Sequence, residues 1–167
     1  MAAGVEIERK FLVTRKPDKA PDKIQKIRQG YVAREEGNTV RIRQNGNRYI
    51  LSVKANRSGI GRYELEYEVP EDEGEILFSI LPHAPIEKIR EIYQFGGLMW
   101  EFDIFSGANA GLMIAEVELE SEDQQFEIPD WVGPEVTGLG KFYNANIATN
   151  PFSDWGITYQ GLVDRMR

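Results

Sequence analysis

The chain has 167 residues, 41% hydrophobic and 28% charged, with a formal net charge of −7. That length and composition fit one soluble globular domain over 1–167, and the acidic balance argues against a nucleic-acid partner. The absence of cysteine excludes a disulfide framework, a thiolate metal site and a thiol nucleophile; no apolar run approaches the ~20 residues of a membrane helix and no secretory leader is visible, so a cytoplasmic monomer or homodimer is expected. The single histidine, His83, lies in the proline-bounded loop Leu81-Pro82-His83-Ala84-Pro85. Histidine base chemistry is therefore not expected, and carboxylates, lysines, arginines and metals must carry any reaction.

Residues 5–13 alternate in polarity with period two and predict a strand. Glu6, Glu8 and Lys10 share one face, each about 7 Å from the next, with Ile7, Phe11 and Val13 opposite. Residues 16–23 are charged and proline-containing and read as a loop or short helical excursion. A second strand over 27–34 carries Gln29 and Tyr31 on one face. After a turn at 35–38, a strand over 39–43 places Arg41 and Arg43 together, with Val40 and Ile42 opposite. Asn45-Gly46 predicts a hairpin into a strand over 48–55, with Ser52 and Lys54 on one face and Tyr49, Leu51 and Val53 on the other. A glycine-containing turn at 56–61 leads to a strand over 62–69 that groups Glu64, Glu66 and Glu68.

Pro70 ends that strand, and 71–81 predicts a helix with acidic residues in its first turn, where the helix dipole favours them. The strand over 86–95 bears Lys88 and Arg90 together. Gly96-Gly97 turns the chain into a strand over 98–105, with Glu101 and Asp103 opposite Trp100, Phe102 and Ile104. A strand over 112–120 groups Glu116, Glu118 and Glu120. Residues 122–134 are acidic and proline-bounded. Residues 140–149 predict a short helix and 153–167 a last amphipathic one.

Seven of the eight strands thus carry charge on one face and apolar residues on the other. In a flat sheet the charged faces would only meet water. In a closed barrel with those faces inward they would line a lumen and need partners, while helices could cover the apolar faces. A phosphorylated anion with bound cations supplies both kinds of partner. Arginine forks and lysine ammoniums grip phosphate oxygens, and carboxylates hold hard cations such as Mg²⁺ or Mn²⁺.

Glu6-Ile7-Glu8-Arg9-Lys10 resembles the ExExK signature of the CYTH superfamily, the triphosphate tunnel metalloenzymes. The companions Arg41-x-Arg43, Lys54, Glu64-x-Glu66, Lys88-x-Arg90, Glu101-x-Asp103 and Glu116-x-Glu118 follow in the family's order, as does the tail from Glu135 through Lys141-Phe142-Tyr143 to Asn146. One departure is Glu91 after Arg90, where relatives often carry tyrosine. The resemblance spans nearly the whole chain and is strongest to small bacterial single-domain members. It implies an α+β protein built on an eight-stranded antiparallel closed β-barrel, with helices packed outside and a polar tunnel that binds triphosphate. It further implies that Glu6, Glu8 and Glu118 hold a catalytic Mg²⁺ or Mn²⁺, with Glu116 close by. Lys10, Arg41, Arg43, Lys54, Lys88, Arg90 and Lys141 would bind phosphate, and Tyr31 would pair with Lys10. Glu64, Glu66, Glu101 and Asp103 would orient the bases or assist a second cation. The expected activity is hydrolysis of inorganic tripolyphosphate by metal-activated water. Thiamine or nucleoside triphosphatase, class IV adenylyl cyclase and a non-catalytic polyphosphate-binding module are the alternatives.

Overall fold

A computed structural model describes residues 3–59 and 61–167; Ile60, within the turn expected at 56–61, lies outside the described residues. The eight expected strands all form: β1 (Ala3–Val13), β2 (Lys23–Glu35), β3 (Asn38–Asn45), β4 (Arg48–Asn56), β5 (Arg62–Val69), β6 (Ile86–Phe95), β7 (Leu98–Phe105) and β8 (Met113–Leu119). They pair antiparallel in the order β5-β4-β3-β2-β6-β7-β8-β1, and β1 returns to β5 to close the barrel. Closure removes the sheet edges that such charged strands would otherwise expose. A ninth strand, β9 (Val132–Glu135), was not expected from the sequence and pairs with the last residues of β1. β1 therefore meets β5 through residues 3–6 and β9 through residues 11–13 along one edge.

The hairpins follow local chemistry. β6 and β7 are joined by Gly96 and Gly97, both at positive φ, as a tight two-residue hairpin requires. The helix expected over 71–81 is shorter, α1 (Glu71–Ser79), and it lies against β4. Gly74 makes that approach possible, because a Cβ there would sit 2.2 Å from the Tyr49 ring. The two C-terminal helices also contract. Residues 140–149 give a 3-10 turn and α2 (Asn144–Ile147), and 153–167 give α3 (Tyr159–Met166) after a break at Gly156 with φ of 67°.

Helices cover less of the barrel than expected. The outer apolar cluster of Ile7, Phe11, Val13, Tyr93, Trp100, Phe102, Val117 and Leu119 is sealed by Phe126 and Trp131 from the irregular segment after β8 and by Val132 at the start of β9. Trp131 stacks on Tyr93, Trp100 and Phe102 at 5.5–6.1 Å. The outer face of β5 is not covered, and Tyr63 and Tyr67 stand exposed.

The inner face changes character along the barrel. Strand alternation puts Leu12 on the face of Lys10, Ile86 on that of Lys88, Phe105 on that of Asp103 and Ile114 on that of Glu116. All four are buried in one cluster with Val136, Phe142, Ile147, Phe152, Leu162 and Val163 of the C-terminal segment. Tyr159 fastens that segment: its hydroxyl lies 2.8 and 3.0 Å from the Val13 and Met113 carbonyls, which share its one proton, and accepts from the Val13 N–H at 2.7 Å. The lumen is therefore charged toward one mouth and filled with apolar side chains at the other end.

Candidate active site

The charged part of the lumen is a cavity of about 690 Å³. Eight bases and seven carboxylates line it, so a chain of net charge −7 concentrates its cations there. Thirteen of the sequence-derived site residues meet on its wall: Glu6, Glu8, Lys10, Tyr31, Arg41, Arg43, Lys54, Glu64, Glu66, Arg90, Glu101, Glu116 and Glu118.

Three of the bases, Lys10, Lys54 and Arg90, are held closely by carboxylates. Lys10 Nζ lies 3.2 Å from Glu116 and 3.8 Å from Glu8, and donates to the Phe142 carbonyl at 3.2 Å. Burial works against its charge, but Glu116 and Glu8 hold it above the ordinary lysine value. Lys54 Nζ is 2.6 Å from Glu6. Arg90 is clamped on all sides, with Nε and Nη2 on the two oxygens of Asp103 at 2.7 and 2.8 Å and Nη1 on Glu101 at 2.6 Å. Such a two-pronged pair fixes the plane of the guanidinium as well as its charge. Arg41 is looser: Glu64 and Glu66 stand 3.9 and 4.0 Å from Nη2, Ser52 Oγ accepts from it at 3.3 Å, and its buried Nε has no partner.

Arg43 differs from all of these. Among the described residues no carboxylate lies within 4 Å of it, and its one hydrogen bond runs from Nε to Gln29 Oε1 at 2.9 Å. Burial, with Arg41 and Arg90 beside it, pushes it down to about 10, a cost that an anion in the cavity would relieve.

Three expected site residues lie off the wall. Lys88 and Asp103 are fully buried behind it, joined Nζ to Oδ2 at 2.6 Å. Asp103 stays low despite its burial because Arg90 and Lys88 both face it. Lys88 is pushed down to about 8 by burial, since it shares Asp103 with Arg90. Lys141 is exposed, stacks 4.4 Å above the Trp155 ring and does not line the cavity. Tyr31 lines the cavity but makes no hydrogen bond to Lys10; the ring nearer that ammonium is Tyr143, 6.0 Å from it.

Arg34, Arg57 and Arg62 line the mouth and escaped the sequence reading. Arg34 was hidden by a bulge between Tyr31 and Ala33, which breaks the alternation so that Tyr31 opposite Arg41 and Arg34 opposite Thr39 both face the lumen. Its guanidinium donates to the Ala145 carbonyl and to Asn146 Oδ1, at 3.0 and 2.7 Å. Arg62 had a legible signal, because it sits two residues before Glu64 on the same face. Arg57 lies in a turn and had none.

The carboxylates on β1, β5 and β8 test whether a divalent cation fits. Glu8 and Glu118 face each other in register, and Glu6 stands beside both Glu64 and Glu8. Burial raises Glu8, and Glu116 adds to it; burial and Glu6 raise Glu118. Glu64 is pushed up to about 8 by burial and by Glu6, against the pull of Lys54. Glu6 goes the other way, to about 2, because Lys54 outweighs its burial. A group of hard oxygen donors with excess negative charge and raised proton affinity fits a divalent cation in chemical kind. Among the described residues no three of them already converge on one point.

Comparison with known proteins gives a consistent set of matches. The family model described as CYTH domain matches residues 4–144. The chain is 42% identical over 153 residues to an inorganic triphosphatase of Acetivibrio thermocellus, covering 91% of this chain and 98% of the relative. It is 35% identical over 147 residues to an inorganic triphosphatase of Nitrosomonas europaea, covering 86% and 96%. A crystal structure of an inorganic triphosphatase superposes with a TM-score of 0.64 at 34% identity, over 86% of this chain and 93% of that one.

Proposed function

Because the chain belongs to the CYTH domain family, we propose that it is a triphosphatase, and that its cavity binds inorganic tripolyphosphate and hydrolyses it to pyrophosphate and phosphate. The observation that carries this reading is Arg43, a base in the lumen with no carboxylate partner, beside Arg41 and Arg90. A cavity built that way is short of an anion. The lining contains no slot of paired aromatic rings for a nucleobase, which favours an inorganic chain over a nucleotide.

Phosphoryl transfer asks a protein mainly for positioning and charge. Lys10, Arg41, Arg43, Lys54 and Arg90 would hold phosphate oxygens, with Arg90 kept planar by Asp103 and Glu101. Glu6, Glu8 and Glu118, with Glu116 close by, would hold Mg²⁺ or Mn²⁺. When bound, such a cation neutralises phosphate charge and makes water a better nucleophile. Water oxygen attacks the terminal phosphorus, the bridging P–O bond breaks and pyrophosphate leaves with its electron pair. The proton that the attacking water loses passes to solvent through the cavity mouth. The apolar floor would make the cavity a dead end, so substrate and products would share one mouth.

The test is phosphate release from tripolyphosphate, ATP and thiamine triphosphate, side by side with Mg²⁺ or Mn²⁺. Tripolyphosphate should turn over fastest. Faster release from ATP would make this a nucleoside triphosphatase, and tight binding without turnover would make it an anion-binding module.

A further inference from the structure

Gln29 lies outside every motif that the resemblance identifies, yet it is fully buried and is the one hydrogen-bond partner of Arg43 among the described residues. Its Oε1 accepts from Arg43 Nε at 2.9 Å, while its Nε2, also buried, has no partner. It does not line the cavity. Each deep base with a close partner is otherwise held by carboxylates: Lys10 by Glu116, Lys54 by Glu6 and Arg90 by Asp103. Behind Arg43 the same place is taken by a neutral amide.

The distinction is electrostatic. A carboxylate behind an arginine fixes its orientation but also neutralises it, so an incoming anion must share the charge. An amide oxygen can orient the fork and leave its charge uncompensated. We propose that Gln29 is a positioning residue that sets the affinity of the site for the substrate anion, by aiming Arg43 without neutralising it. The proposal rests on the triphosphatase reading for the identity of that anion.

The unpaired Nε2 provides a sharp test, because Gln29→Glu loses no hydrogen bond there. It replaces an unsatisfied donor with a carboxylate oxygen and gives Arg43 an ion pair. The variant should therefore melt no lower than the wild type while its affinity falls. Gln29→Leu should show the opposite balance: it removes the acceptor and keeps Arg43 uncompensated, so it should melt lower and bind more tightly than Gln29→Glu. Tripolyphosphate binding in EDTA by titration calorimetry, with KM and kcat alongside, reads both effects. Gln29→Glu should weaken binding by at least about tenfold, the size of one charge-assisted contact, and should raise KM by more than it lowers kcat. In an Arg43→Ala background the same substitution should change affinity by less than about twofold, because its target is gone.

Wild-type affinity in Gln29→Glu, or equal affinity in Gln29→Glu and Gln29→Leu, would overturn the proposal. A glutamine that only fills space would show destabilisation in Gln29→Glu without a change in affinity. Failure of the triphosphatase reading itself looks different: the wild type would then bind none of tripolyphosphate, pyrophosphate and phosphate, and this proposal would fall with it.

Discussion

Asp103→Asn tests the buried half of the site. Asp103 is fully buried, accepts two bonds from Arg90 and one from Lys88, and lies behind the cavity wall. Asparagine keeps the shape but loses the charge, and its amide nitrogen must face either Lys88 and Arg90 Nη2 or Arg90 Nε, donor against donor. Arg90 retains Glu101 at 2.6 Å and Glu116 at 3.7 Å; Lys88 retains no carboxylate within ion-pair distance. Removing one member of a buried ion network costs about 3–5 kcal/mol, which in a chain this size lowers the melting temperature by roughly 6–20 °C. The exposed pair Arg48–Glu68, at 2.9 Å, supplies a control: Glu68→Gln should leave the urea midpoint at the wild-type value. Urea unfolding followed by tryptophan fluorescence measures both, and KM for tripolyphosphate should rise in Asp103→Asn as Arg90 loses its clamp. A variant within about 1 kcal/mol of wild type would refute the argument that Asp103 compensates two buried cations.

Glu8→Gln should abolish turnover and the response to divalent cation while leaving the melting temperature close to wild type, because glutamine imitates the protonated carboxyl that burial and Glu116 favour; near-normal activity in Mg²⁺ would remove Glu8 from the cation site. Lys141→Ala should keep KM and kcat within about twofold and cost no more than the about 0.5–1 kcal/mol of an exposed cation–π contact, whereas Arg34→Ala should raise KM several-fold from the mouth of the cavity. Lys88 predicts a pH dependence. Its folded value, about 8, lies below the ordinary lysine value of 10.5, so between these the unfolded chain holds a proton that the folded chain has released. Stability should therefore rise with pH through that window, by up to about 3 kcal/mol, and fall back below it. Lys88→Met should flatten the rise, and urea midpoints at pH 8, 9 and 10 compare the two.

What the sequence made legible was whatever strict alternation encodes. In β1, β3, β5, β7 and β8 period two runs unbroken, so placing Glu6 inside also placed Glu8 and Lys10, and the closed barrel followed from the need to partner those faces. Arg34 was lost where alternation fails, since a bulge is an extra residue that no composition marks. Depth was also hidden. Lys88 and Arg90 share a face and a motif, but only packing decides that one is sealed behind the wall and the other reaches the cavity. The ninth strand and the seal by Trp131 were missed because residues 122–134 have neither a helical nor a strand period, and their role comes from the apolar surface they cover.

The presence of seven carboxylates in an anion site has a physical rationale on this reading. Eight bases within about 690 Å³ would repel one another strongly, and Arg41 and Arg90 add to the burial that lowers the proton affinity of Arg43. Close carboxylates keep Lys10, Lys54 and Arg90 charged, at the expense of holding them. Tripolyphosphate entering the cavity competes for Lys54 and so releases Glu6, one of the residues proposed to hold the cation. Each phosphate contact formed thereby raises the negative charge that a cation would meet, and each cation bound frees a base for phosphate. By linkage the effect is equal in both directions. On this reading the salt bridge between Lys54 and Glu6 couples the binding of substrate to the binding of cation.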